Sequence, residues 1–421
     1  MPDTPVFANS RTTIAGIPVA DLARQFGTPT FVYDARKIVE RIADLRGFDH
    51  VRYAQKACSN LAILDLMRRH GVLVDCVSAG EVQRALAAGY RPEGDPPPIV
   101  YTADIFDRAS LELVVERNIH VNCGSPDMID QYGCRAPGRE ITLRINPGFG
   151  HGHSQKTNTG GDHSKHGIWH EQLNDCLVNA DNYGLSVAGL HMHIGSGTDL
   201  EHLAQVCAAM EKAAVVLGRN LKMISCGGGL PVPYRADQSY VDLEAYYGLW
   251  DATRKRLEDR FGHRVRIEIE PGRYLVAESG YLISEIRAVK QQGHNTFYLV
   301  DAGFNNLARP ILYGAHHPIS VAASEADGPR PETEAIVGGP LCESGDIFTQ
   351  EEGGFVARRR LPLAAVGDLL VIECAGAYGF VMGSNYNSKP LAAEVLVVDG
   401  EAHLVRRRQT FDELVAAESI P

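Results

Sequence analysis

No two cysteines of the 421-residue chain form a C-x-x-C pair, and no apolar run reaches membrane-spanning length. The first absence excludes a zinc knuckle or a thioredoxin-type redox pair. The second leaves no transmembrane helix to expect. The chain starts without a cationic stretch followed by an apolar one, so no signal peptide is expected. Positive charge is also short: 41 Lys and Arg stand against 52 Asp and Glu, a formal net charge of -11. Nucleic acid and anionic membrane both require clustered cations, so neither is an expected partner. The triplets Arg358-Arg359-Arg360 and Arg406-Arg407-Arg408 are flanked by apolar residues and read as solvated strand edges. There are nine cysteines, an odd number, and Cys58, Cys76, Cys123 and Cys226 lie in or beside apolar strand-like runs. They read as buried free thiols of a reducing cytoplasm rather than as disulfides. Internal repeats and low-complexity tracts are lacking too.

What is present is a globular composition, 44% hydrophobic and 22% charged, in a chain long enough for two domains. Strand-like runs fall at 52–54, 74–78, 99–103, 121–124, 141–146, 189–195, 223–229 and 265–270, preceded by one at 30–33. Helical segments separate them. Ser59 or Asn60 can cap the helix that carries Ile63, Leu66 and Met67 on one face, and Gly71 closes it. Ser78-Ala79-Gly80-Glu81 reads as a capping box before Val82, Ala85 and Leu86. Eight such β/α units fit a (β/α)8 barrel, although a doubly wound open sheet also alternates. After Gly272 the pattern changes to strands at 281–286, 296–300, 333–337, 368–373 and 393–398, a mostly β domain. The polar, Gly- and His-rich stretch from 148 to 167 is long enough for a mobile or active-site loop.

Reactive groups collect just past the strand ends, where barrel chemistry sits. Lys56 follows the first strand and can form a Schiff base with a carbonyl, or be a solvated loop lysine. Arg144 and Asn146 close the fifth. His191 and His193 close the sixth; alternation sends them to opposite faces, so one of them can point into the barrel top and stack on a flat ring, or simply be a bonded core histidine. Gly227-Gly228-Gly229 lets backbone N–H groups approach a phosphate, or is a plain turn. Glu270, followed by Pro271, Gly272 and Arg273, can keep a pyridine nitrogen protonated. A lysine, a phosphate cradle, a stacking ring and a carboxylate are what pyridoxal phosphate requires. A metal is not expected: His151, His153, His163 and His166 lack ligand spacing and have no H-E-x-x-H nearby.

With these residues in view, the chain resembles the alanine-racemase-like, fold-type III pyridoxal-phosphate decarboxylases, and among them the diaminopimelate-specific branch of proteobacterial type. The matching stretches are Tyr53-Ala54-Gln55-Lys56-Ala57-Cys58-Ser59-Asn60, Asn146-Pro147-Gly148-Phe149-Gly150-His151-Gly152-His153, His191-Met192-His193-Ile194-Gly195-Ser196-Gly197 and Glu270-Pro271-Gly272-Arg273, followed by Cys342-Glu343-Ser344-Gly345-Asp346 and Gly376-Ala377-Tyr378-Gly379. The last two separate the decarboxylases from the racemases. The resemblance implies an N-terminal segment (1–30) that joins the β domain, a pyridoxal-phosphate-binding barrel (31–275) and a C-terminal β domain (276–421), assembled as a cytoplasmic homodimer with shared active sites. It implies Lys56 as the Schiff-base lysine, His193 against the ring and Glu270 on its nitrogen. Gly228, Gly229 and the backbone of Glu270, Pro271, Gly272 and Arg273 would hold the phosphate. Arg273, Arg309 and Tyr313 would bind substrate carboxylates, Glu343 the distal ammonium, and Tyr378 both cofactor and substrate. Cys342 would return the proton. The implied reaction is decarboxylation of meso-2,6-diaminopimelate to L-lysine and CO2. The competing readings are decarboxylation of ornithine, arginine or carboxynorspermidine, racemisation, and non-catalytic cofactor binding. Lys389, in Asn387-Ser388-Lys389-Pro390, stands where the family pattern has arginine; charge is kept and the bidentate fork is lost.

Overall fold

The structure is a computed structural model and describes residues 7–150, 159–193, 195, 199–322, 328 and 330–421. The chain forms two compact units, one of residues 41–231 and 241–274, the other of residues 2–40, 232–240 and 275–421.

The first unit is a closed parallel barrel. Its strands are His50–Ala54, Leu73–Cys76, Ile99–Ala103, His120–Cys123, Glu140–Asn146, Ser186–His191, Met223–Ser225 and Arg266–Ile269. Each pairs in parallel with the next, and the last pairs with the first. All eight units expected from sequence are present. The alternative of an open doubly wound sheet is excluded by the closure. Strands such as Ile99–Ala103 are buried almost throughout, as expected where helices cover the outer face. Asn60 is the cap of helix Leu61–Arg69, its side chain accepting from the Ala62 N–H at 3.0 Å. Ser78 caps Ala79–Ala87 through the Glu81 N–H, but the Glu81 carboxylate accepts from Val77 N–H rather than from Ser78. The capping box is therefore displaced by one residue, with the same number of donors satisfied.

Inside the barrel, Arg52 and Glu268 form a two-pronged ion pair, Nε–Oε1 at 3.1 Å and Nη2–Oε2 at 2.9 Å. Both side chains are almost wholly buried, and Arg52 Nη1 also donates to Pro97 O at 2.9 Å. Removing one partner strands a charge in the interior. Glu268→Ala should therefore destabilise the fold by about 3–5 kcal/mol, read as a lower urea midpoint. Replacing both residues with methionine should recover most of the loss. An unchanged midpoint for Glu268→Ala would show that the pair is irrelevant to stability.

The second unit is built on a nine-stranded sheet running Arg359–Pro362, Glu332–Gly338, Asn295–Val300, Gly280–Gln292, Thr30–Asp34, Ala393–Val398 and Glu401–Arg406, with Leu369–Ile372 and Ile319–Ala322 branching from Gly280–Gln292. Thr30–Asp34 is an interior strand, antiparallel to Gly280–Gln292 and parallel to Ala393–Val398. Helix Val19–Phe26 puts Val19 and Leu22, with Ile14, against Val32, Ile283, Val371, Val395 and Val397. The two arginine triplets fall at the two ends of the sheet order, but they are not simply solvated edges: Arg359 and Arg408 are half-buried, and Arg408 Nη2 donates to Thr30 Oγ1 at 3.2 Å. Among the described residues no helix is long and apolar enough to cross a membrane.

Candidate active site

In the first unit, the residues past the strand ends converge. Lys56 is exposed in the single 3-10 turn Gln55–Ala57 that follows His50–Ala54. The Glu270 end of the barrel meets this turn directly. Ala54 N–H donates to Pro271 O at 3.2 Å, and a Cβ on Gly272 would lie 3.1 Å from Ala54 O and 3.2 Å from Ala57 Cβ. Arg273 opens the short helix Arg273–Val276.

The glycine turn after Met223–Ser225 has no room for side chains. A Cβ on Gly228 would sit 2.4 Å from Glu270 O, and one on Gly229, at φ +100°, 2.2 Å from Gly195 O. His193 lies against this turn, its Cε1 3.4 Å from where the Gly229 Cβ would be. Burial and the charges of Arg144 and Lys56 push His193 well below the usual histidine range, which leaves the ring neutral. Its Nδ1 is buried without a partner among the described residues.

Alternation does not separate the two histidines. Residues two apart on a strand share a face, so the expected opposition does not follow from alternation, and the strand itself ends at His191. His191 is itself buried, and its Nε2 donates to Glu270 Oε2 at 2.7 Å. Ser225 Oγ donates to Glu270 Oε1 at 3.0 Å. Burial pushes the Glu270 carboxyl up, but His191, Arg52 and Ser225 outweigh it and hold the group at about 2. Asp75, also buried, is pushed up to about 7 by burial and by Glu270, against the pull of Lys56. Nothing in the local sequence marks His191, Ser225 or Asp75 as a group, because barrel register alone brings them near Glu270.

Asn146 belongs to the loop rather than to the chemistry. Its Oδ1 accepts from Gly148 and Gly161 N–H, and its Nδ2 donates to Gly161 and His166 carbonyls, all within 3.1 Å. Asp104 accepts from His166 Nδ1 at 2.5 Å and from Gly167 N–H at 2.8 Å, and Thr159 Oγ1 donates to His193 O. The long loop is thus tied at both described ends. His151 and His153 lie outside the described residues, as do Ile194, Ser196 and Gly197. Among the described residues, no group of three or more His, Cys, Asp or Glu is placed to hold a metal ion.

The second unit carries the other expected site residues. Cys342 and Glu343 are exposed on a loop held by Asp346, whose carboxylate accepts from Leu341 N–H at 2.8 Å and Phe304 N–H at 2.7 Å. Cys342 N–H donates to Asn387 Oδ1 at 2.8 Å. Burial pushes the Asp346 carboxyl up, against its bonds to Leu341 and Phe304 N–H and the smaller pull of the Lys389 charge. Arg309 is buried, donates from Nη1 to His317 Nε2 at 2.8 Å and lies 4.8 Å over the Tyr234 ring. Tyr313 ends the same short helix and is partly exposed, and Tyr378 has φ +57°.

A primary amine on a turn, a glycine cradle that a Cβ would fill, a neutral flat ring with an unused nitrogen and a carboxylate kept ionised together suit a phosphorylated pyridine aldehyde. The comparisons agree. Residues 35–277 match the family described as pyridoxal-dependent decarboxylase, pyridoxal binding domain. The chain is 56% identical over 399 residues to the diaminopimelate decarboxylase of Escherichia coli strain K12, which spans 94% of this chain and 95% of that one. A crystal structure of diaminopimelate decarboxylase, 56% identical, matches with a TM-score of 0.91 over 94% of this chain and 95% of the other. The Helicobacter pylori diaminopimelate decarboxylase complexed with L-lysine, 31% identical, matches with a TM-score of 0.85 over 95% and 98%. The chain belongs to the diaminopimelate decarboxylase family of pyridoxal-dependent decarboxylases.

Proposed function

We propose that the chain decarboxylates meso-2,6-diaminopimelate to L-lysine and CO2, the last step of lysine biosynthesis, with pyridoxal 5'-phosphate as cofactor. The observation that carries this reading is the buried Glu270 carboxylate, held by His191 and Ser225, at a rim that also presents Lys56 and the glycine cradle. The L-lysine complex of the Helicobacter pylori relative supports L-lysine as product.

When bound, pyridoxal phosphate supplies a ring that accepts the electron pair left as the Cα–carboxylate bond breaks. Lys56 would hold it through Nζ. Backbone N–H groups of Gly228, Gly229 and the segment from Glu270 through Pro271 and Gly272 to Arg273 would hold its phosphate. His193 would cover one ring face, and Glu270 would keep the ring nitrogen protonated. Arg273, Arg309 and Tyr313 would bind substrate carboxylates, Glu343 the distal ammonium, and Tyr378 would touch both cofactor and substrate. Cys342 Sγ would return one proton to Cα after CO2 leaves.

We further infer a cytoplasmic homodimer with shared active sites, with no nucleic-acid or membrane partner. Nine cysteines, none in a disulfide, and a net charge of -11 support that setting.

A CO2-release assay over a panel of diamino acids tests the substrate. The meso-diaminopimelate rate should exceed that of L-ornithine by roughly 10³-fold or more, because ornithine lacks the carboxylate that Arg309 and Tyr313 would read. Glu343→Gln should narrow that ratio without lowering stability. Comparable turnover of ornithine by the unmodified protein would move the chain to the polyamine branch.

A further inference from the structure

We propose that His191 is a positioning residue for Glu270, and that with Ser225 it forms a two-donor clamp that fixes the carboxylate against the ring nitrogen. The proposal rests on the reading of Glu270 given above. Its basis is the barrel register. His191 is level with Ser225, and Ser225 with Glu268, on three adjacent parallel strands. The strand ends at Ile269, and Glu270, the next residue, is held beside that row by its own bonds rather than by strand alternation. The pairing thus sets the two donors side by side, and each reaches a different oxygen: His191 takes Oε2 and Ser225 takes Oε1.

Further bonds fix the clamp itself. Ser225 Oγ accepts from Gly227 N–H at 3.3 Å, which commits its hydrogen to Glu270, and Glu270 N–H donates to Gly227 O at 2.9 Å. Backbone and side chain of Glu270 are thus both tied to the strand that leads into the glycine turn. A carboxylate has about four acceptor sites, so two remain after the clamp and can serve a ring N–H.

The histidine is the donor because an ionised carboxylate can only accept. Its Nδ1 is buried with no partner among the described residues. Donation from Nε2 fixes Oε2 of Glu270 and leaves the remaining acceptor sites of the carboxylate to the ring nitrogen.

The test uses the holoenzyme and reads the absorption spectrum of the bound cofactor, its rate of loss on dilution, and kcat and KM. His191→Leu removes the donor. It should lower kcat roughly tenfold or more with KM nearly unchanged, because a charge aimed at the ring acts in the transition state rather than on substrate binding. The cofactor band should shift, and its loss should quicken. His191→Gln keeps an N–H donor and should restore most of kcat and the spectrum. Ser225→Ala should shift the band in the same direction, and it decides the matter if His191→Leu does not fold. In a Glu270→Gln background, His191→Leu should cost little more, since the group it positions is already lost. A wild-type spectrum with kcat within about threefold for His191→Leu, or the same fractional loss in the Glu270→Gln background, overturns the proposal. If Glu270→Gln alone leaves spectrum and turnover unchanged, it is the reading of Glu270 that fails, and the clamp with it.

Discussion

Lys56→Ala should abolish turnover to the limit of detection while the protein still folds. The lysine is exposed in a three-residue turn, so its removal leaves no cavity and no unpaired buried group. Its amine has a chemical task that no neighbouring side chain shares. Arg52 and Arg144 are guanidinium groups, which stay protonated and do not attack a carbonyl. Covalent catalysis has no substitute for the missing nucleophile, so the expected loss is far beyond the roughly tenfold effect of a misplaced hydrogen bond. Borohydride treatment of the holoenzyme should fix the cofactor to one peptide, the one containing Lys56. Peptide mass mapping checks this directly, and labelling of a different lysine would show that the wrong residue has been assigned. Lys56→Arg should be as inactive as Lys56→Ala, which separates a need for the amine from a need for positive charge.

The second large effect is a gain. Lys56→Ala and Cys342→Ala should each be crippled alone, yet a mixture of the two should recover about a quarter of wild-type activity once subunits exchange. The arithmetic follows from the proposed shared site. Random pairing makes about half the dimers mixed, and each mixed dimer has one intact site and one carrying both lesions. If Cys342 served the barrel of its own chain, every site would contain one lesion and nothing would return. Exchange has to be verified independently, for instance by pairing differently tagged subunits. No recovery after verified exchange would discard the shared site and leave the decarboxylase reading intact.

The barrel was legible because buried parallel strands are short apolar runs with helix caps between them, and all eight appear close to where the pattern puts them. The ends were less legible. Runs such as 189–195 and 223–229 read as strand, but the strands are Ser186–His191 and Met223–Ser225. The residues beyond, His193 and the three glycines, are turn, and that is where the site forms. The second unit was harder. Ile319–Ala322 and Arg359–Pro362 are four residues each, and Glu401–Arg406 is an edge strand with little buried surface, so none shows clean alternation. Thr30–Asp34 was legible as a strand, but no local feature says which sheet receives it.

The site divides in the same way. Lys56, Glu270, Gly228 and Gly229 announce themselves by residue type beside a strand end. Asn146 also stands there and does something else, because all its polar capacity is taken up by the loop. Ser225 and Asp75 carry no signal of their own, and His191 is marked only as a ring that could stack, not as a partner of Glu270. Their meaning lies in register between strands far apart in sequence, which a single chain read in order does not display.

The interior position of Thr30–Asp34 has a consequence for how the chain is made. The ribosome releases this strand early, but both its partners, Gly280–Gln292 and Ala393–Val398, emerge only after all eight barrel strands. Thr30–Asp34 must wait with its hydrogen-bonding groups unpaired while the barrel is synthesised and closes. Conversely, a recombinant fragment that starts after the barrel would lack the strand that joins Gly280–Gln292 to Ala393–Val398. Two open edges would face each other where one continuous sheet belongs, and such edges recruit further copies of themselves. Vectorial synthesis therefore makes the early segment a placeholder for the final third of the chain, and a cut at the end of the barrel should yield an insoluble product.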